Sequence, residues 1–122
     1  MSKIIRYCLV NETRDSDNAF EVCDGTIYEN PFDHHKGKKQ GKIKVLTREV
    51  ALRKYSKYFD KAYKLSKEFK ESVDKIVDAY EKYDEVFLGC YCSESQLCHA
   101  DVIAQKVQQL SMQRTFKKKN QD

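Results

Sequence analysis

The chain has one proline, four glycines and no tryptophan in 122 residues. Nothing in it approaches the roughly 18 or more consecutive apolar residues of a membrane-spanning helix, so a membrane role is not expected. The first residues, Met1 to Cys8, have neither the apolar core nor the small-residue cleavage site of a secretory signal. Five cysteines is an odd number, and without a secretory context they argue against a disulfide framework. The expectation is a cytoplasmic protein with reduced thiols. No internal repeat is visible.

What is present fits one domain of common size, residues 1–110, followed by a basic and frayed tail, residues 111–122. The chain is 40% hydrophobic and 34% charged, with a formal net charge of +4. The distribution of that charge says more than its total. Residues 1–35 hold three basic and seven acidic side chains, a balance of −4. Residues 36–54 hold eight basic and one acidic, a balance of +7. Residues 55–105 return to −3, with seven basic and ten acidic, and the last 17 residues carry +4. A cationic segment between two acidic regions points to one localised anionic ligand. The modest overall basicity, with pI about 8.7, argues against specific nucleic-acid binding.

Ile4 to Val10 reads as a strand, rich in β-branched and aromatic residues. Ala19 to Cys23 is a second strand, and Thr26-Ile27-Tyr28 a candidate third or an extended loop. Asn30-Pro31-Phe32 breaks regular structure, because proline forces Asn30 out of the helical region. A Gly- and Lys-rich loop follows to Lys42. Thr47 is a plausible N-cap, with Glu49 near the positive end of the helix it starts. No glycine or proline interrupts residues 43–88. The apolar stripe through Ala51, Tyr55, Tyr58, Phe59, Ala62, Leu65, Phe69, Val73, Ile76 and Tyr80 predicts one long helix or two with a bend near 60–66. Its aromatics are compatible with burial against a sheet or with a homodimer. Glu85 to Tyr91 reads as a buried strand and His99 to Leu110 as a final helix. The order β-β-(β)-α-α-β-α predicts a compact α/β domain with a small mixed sheet flanked by helices.

Chemistry concentrates in two places. Cys90 and Cys92 lie two apart at a strand end and so share a face. Cys98 and His99 follow at the start of a helix, where N–H groups and the helix dipole favour an anion or a thiolate. Three readings of this segment stay open. Cys98 or Cys92 could be a nucleophile, with His99 as base and Asp101 assisting. Cys90, Cys92, Cys98 and His99 are all acceptable zinc ligands, although adjacent Cys-His is an awkward tetrahedral chelate. Or the cysteines pack as small apolar residues around a pocket. The second place is Asn30-Pro31-Phe32 with the basic loop behind it. That loop is no P-loop, since Gly37 and Gly41 enclose three residues and Ile43 follows Lys42. It could instead lie over a phosphate, and His34 and His35 could join a metal site or a phosphate cradle.

The combination of Asn30-Pro31-Phe32 after Val22 and Asp24-Gly25-Thr26, then Arg48-Glu49-Val50, Tyr55 and Tyr58, then Leu88-Gly89-Cys90-Tyr91-Cys92 and Cys98-His99-Ala100-Asp101 resembles the domain-of-unknown-function 4326 family. These are small proteins frequent in phage genomes. The resemblance covers roughly residues 20–107. It departs from the family pattern at Tyr91, where tryptophan is usual, at Ala100, where glycine is usual, and in a longer 60–80 region. It implies a site shared between Asn30-Pro31-Phe32 and the segment 90–101, and carries no agreed activity. The reading that combines all of this is a protein binding a compact, anionic, nucleotide-like ligand. Tyr28 or Phe32 would stack on a base, N–H groups near Cys92, Cys98 and His99 would meet phosphate, and Lys38, Lys39 or Arg48 would neutralise it. The phage context suggests sequestration of a host defence signalling nucleotide in the host cytoplasm. The alternatives are a cysteine-dependent enzyme acting on a nucleoside or nucleotide, and a zinc-stabilised interaction module.

Overall fold

The computed structural model describes residues 3–9, 12, 14–23, 26–33, 43–44, 47–90 and 98–120. Three strands form its central sheet: β1 (Lys3–Cys8), β2 (Ala19–Glu21) and β5 (Glu85–Cys90), in the order β1-β5-β2. Between them in sequence come β3 (Phe32–Asp33) and β4 (Ile43–Lys44), which pair with each other, then α1 (Arg48–Leu65) and α2 (Lys67–Tyr83). Helix α3 (His99–Asn120) closes the chain. Every pairing described is parallel, so the expected mixture of strand directions is not found among the described residues. The reason is topological. β5, the most apolar strand, takes the centre, and the two N-terminal strands flank it instead of forming a hairpin.

The register of β5 divides the sheet into two unlike faces. Val86, Leu88 and Cys90 are buried on one side, paired with Ile4, Arg6 and Cys8. There α2 contributes Val73, Ile76 and Val77, and α3 contributes Ala100, Ile103 and Val107. Phe87 and Gly89 face the other way beside Ile5 and Tyr7. On that side Arg14, from the connection between β1 and β2, lays its guanidinium 3.9 Å above the Phe87 ring.

Local chemistry explains the helix limits. Thr47 caps α1, its hydroxyl accepting the Val50 N–H at 3.1 Å. Ser66 takes extended backbone angles and serves both helices. Its N–H donates to Ala62 O at 2.8 Å, and its hydroxyl accepts from Phe69 N at 3.3 Å. The uninterrupted stripe is therefore two helices, with the bend in the expected region. Leu65, assigned to the inward stripe, is the last residue of α1 and points into solvent. Asp84 ends α2 in the left-handed region, at φ 57°.

Thr26-Ile27-Tyr28, open between strand and loop in the sequence, is a turn, because the Thr26 hydroxyl donates to Cys23 O at 2.7 Å and accepts the Tyr28 N–H at 3.3 Å. This side-chain turn competes with a strand ladder. The tail expected to fray after Leu110 instead continues α3 to Asn120. Arg114 holds it there, donating to Asp78 and Glu81 of α2 at 2.7 Å each.

Candidate functional site

In a parallel sheet all strands end on the same edge, and ligands of open α/β sheets bind outside that edge. Here the edge is formed by Cys8, Glu21 and Cys90. The segment after β2 and the start of α3 converge on it. Val22 N–H donates to Gly89 O at 2.9 Å, which extends the β2 contact past its last residue. The carbonyl of Val22 is then the partner of His99 Nε2. A carbonyl only accepts, so this contact assigns the proton to Nε2. The other nitrogen, Nδ1, faces Cys98 Sγ at 3.6 Å as the acceptor of the thiol proton. The sulfur itself accepts the Ala100 N–H at 3.5 Å. Cys98 is thus the cap of α3, and its thiol lies between an imidazole nitrogen and the positive end of a 22-residue helix. The thiol is almost fully buried, at 1% exposure.

Asp101 stands at the same helix start as Cys98. One carboxylate oxygen, Oδ2, accepts both the Cys98 N–H at 3.0 Å and Arg6 Nη1 at 2.9 Å. It completes the cap of α3 and ties that helix to β1. It positions the Cys98–His99 pair through the backbone.

A second set of contacts brings in the loop that carries Asn30 and Pro31. The Tyr55 ring meets His99 edge-on, with centroids 5.4 Å apart. Its hydroxyl donates to Tyr28 O at 2.7 Å. Tyr28 in turn donates to Ser72 O of α2 at 2.9 Å. Tyr28 is therefore a core residue, 8% exposed, and not a stacking platform for a base. Burial pushes its hydroxyl up to about 12, and burial raises that of Tyr55 further. Both stay protonated donors through the neutral range.

Cys98, His99 and Asp101 stand together, with Val22 and the Tyr28–Pro31 segment tied to them. Asn30 and Pro31 are half-buried, and Arg48, also half-buried, opens α1. Phe32 lies in β3, which adjoins α1. Lys38, Lys39, Cys92, His34 and His35 lie outside the described residues. Among the described residues no three His, Cys, Asp or Glu side chains converge as metal donors. Both ring nitrogens of His99 have partners in this arrangement, Val22 O and Cys98 Sγ.

Sequence reasoning passed over Arg6, Tyr7 and Arg14. A signal existed for Arg6, since a charge inside Ile-Ile-Arg-Tyr-Cys-Leu must find a partner when the strand is buried. For Arg14, in a polar loop, there was none.

The family model described as Domain of unknown function (DUF4326) matches residues 8–109. The chain is a member of the DUF4326 family. The match takes in β2 to β5 with α1 and α2 whole, together with the last residue of β1 and the first half of α3. Comparison with curated proteins found no match, and neither did comparison with solved structures. No helix among the described residues is long and apolar enough to cross a membrane.

Proposed function

We propose that this DUF4326 protein binds a compact, anionic, nucleotide-like small molecule at the C-terminal edge of its parallel sheet. The observation that carries this reading is the convergence there of Val22, Tyr28 and the first turn of α3, joined by the His99–Val22 and Tyr55–Tyr28 contacts. A phosphate is suited to the positive end of α3, and the cationic segment 36–54 supplies charge for it. The finer version is sequestration in the cytoplasm of a phage host, where the protein would hold a defence signalling nucleotide away from its receptors. It draws on the family resemblance alone.

One specific observation favours a second reading. The Cys98 thiol, the imidazole of His99 and the carbonyl of Val22 form a nucleophile, a base and a group that orients the base. Thiol-dependent chemistry on the same nucleotide-like ligand is the alternative to simple binding.

Native mass spectrometry of the purified protein, before and after denaturation, separates the two. Ligand recovered intact supports binding, and ligand recovered chemically altered supports catalysis. A nucleotide present at a hundred times its Kd raises the melting temperature by roughly 10 °C. If no member of a broad nucleotide panel shifts the melting temperature and none is carried through purification, the reading is wrong.

A further inference from the structure

The face of the sheet turned away from the helices holds a polar group that the Cys98–His99 site does not use. Tyr7, near the end of β1, is 4% exposed, yet its hydroxyl has no hydrogen-bond partner among the described residues. Its ring lies across β5 at Gly89. A Cβ at position 89 would stand 2.7 Å from Tyr7 Cζ and 2.8 Å from its hydroxyl oxygen. The absence of a side chain at Gly89 is what lets the hydroxyl reach this far across the sheet. An uncompensated buried hydroxyl is costly, and native proteins seldom keep one without use.

Arg14 covers this spot. Its guanidinium stacks 3.9 Å above the Phe87 ring and 5.6 Å from the centre of Tyr7. Its ion pair is with Glu12 on the same connection, through Nε at 3.3 Å, and both side chains are partly exposed. Arg14 can therefore lift without stranding a buried charge. Burial raises the Tyr7 hydroxyl, and the nearby Glu21 and Glu12 carboxylates raise it further, while Arg14 opposes them. Two carboxylates against one guanidinium make the spot unfavourable for phosphate and suitable for a neutral acceptor.

We propose that Tyr7, Phe87 and Arg14 form the base-binding end of the ligand site. A planar heteroaromatic ring enters between the guanidinium and the sheet face, and the Tyr7 hydroxyl donates to one of its ring nitrogens or carbonyl oxygens. Arg14 re-forms on the inserted ring the stacking contact it gives up on Phe87. Tyr7 takes over the role that the buried Tyr28 does not fill. Cys23, near Tyr7, directly follows Val22, the partner of His99, so this end adjoins the α3 site through the residues that follow β2. The inference rests on the nucleotide reading and names the part of the ligand that lies here.

The test is isothermal titration calorimetry of the wild type, Tyr7→Phe and Arg14→Lys with the 5′-monophosphates of adenosine, guanosine, cytidine and uridine, and with ribose 5-phosphate, which lacks a base. The expected result is that Tyr7→Phe weakens the best-bound monophosphate about tenfold. Arg14→Lys, which keeps the charge and loses the planar face, weakens it as well. Affinity for ribose 5-phosphate stays the same in all three proteins. Equal monophosphate affinity in wild type and Tyr7→Phe overturns the inference and leaves the nucleotide reading standing. An equal loss for ribose 5-phosphate also overturns it, because the effect is then not on the base. No binding of any probe to the wild type overturns the nucleotide reading and this inference with it. Without ligand, Tyr7→Phe is expected to melt no lower than the wild type. A lower melting temperature means that the hydroxyl has an internal partner and overturns the inference by itself.

Discussion

Replacing Tyr55 by phenylalanine removes one oxygen atom and no volume of consequence, so the cost reports a single hydrogen bond. The Tyr55 hydroxyl donates to Tyr28 O at 2.7 Å from a fully buried position. That carbonyl has no other hydrogen-bond partner among the described residues. Tyr55→Phe therefore loses the bond and strands a buried acceptor, at about 1–3 kcal/mol. Tyr28→Phe makes the contrast. Its hydroxyl donates to Ser72 O at 2.9 Å, inside α2, where the helix already supplies that carbonyl with an N–H four residues on. Its removal strands nothing and costs about 0.5–1 kcal/mol. Urea unfolding at neutral pH measures both, and a loss near 2 kcal/mol lowers the midpoint by roughly 1 M. Tyr55→Phe is also expected to weaken ligand binding, since it loosens the Tyr28–Pro31 segment. The reasoning fails if Tyr55→Phe is as mild as Tyr28→Phe.

Three further outcomes are expected. The Tyr28 hydroxyl ionises near 10 in the unfolded chain and at about 12 in the fold, so its contribution is intact below pH 10 and is lost as pH rises through 12. That loss is about 3 kcal/mol from this residue alone, with Tyr55 adding to it, and urea midpoints across the alkaline range should fall less steeply in Tyr28→Phe. Gly89→Ala places a methyl group against the Tyr7 ring and should cost about 1–3 kcal/mol, a penalty that shrinks in a Tyr7→Leu background. Asp101→Ala removes the carboxylate that caps α3 and meets Arg6, and should lower stability by about 1–2 kcal/mol in the same assay.

Periodicity made the helical part of this fold legible. The stripe from Ala51 to Ile76 gave the buried faces of α1 and α2, and Thr47 marked the first cap because the capping signal is local. Leu65 was misplaced by the same logic, since a periodic pattern does not register where Ser66 interrupts the helix. Sheet direction was not legible, because β2 meets β5 across the whole of α1 and α2 and no local feature encodes that pairing. The continuation of α3 past Leu110 was hidden for a similar reason. Met112 and Phe116 face solvent there, so no apolar stripe marks the last turns, and the support comes from Arg114 reaching α2.

The candidate site divides in the same way. Cys98, His99 and Asp101 were visible as residue types at a helix start. Their roles depend on partners distant in sequence: Val22 O for His99, and Arg6 for Asp101. Tyr28 reads as available for stacking in the sequence, and its burial with its hydroxyl on Ser72 O of α2 shows that it is core. Tyr7 is the reverse case, a strand aromatic that reads as core until its hydroxyl is seen to lack a partner among the described residues.

The most direct test of the central claim is to map amide chemical shifts while titrating the protein with the best-bound nucleotide. Binding at the C-terminal edge predicts that the largest shifts fall on Leu9, Val22, Cys23, Glu29, Asn30 and the 98–101 turn, with Leu65 and the surrounding end of α1 unmoved. Shifts centred on the far end of α1 and α2, or spread thinly over the surface with no centre, would contradict it.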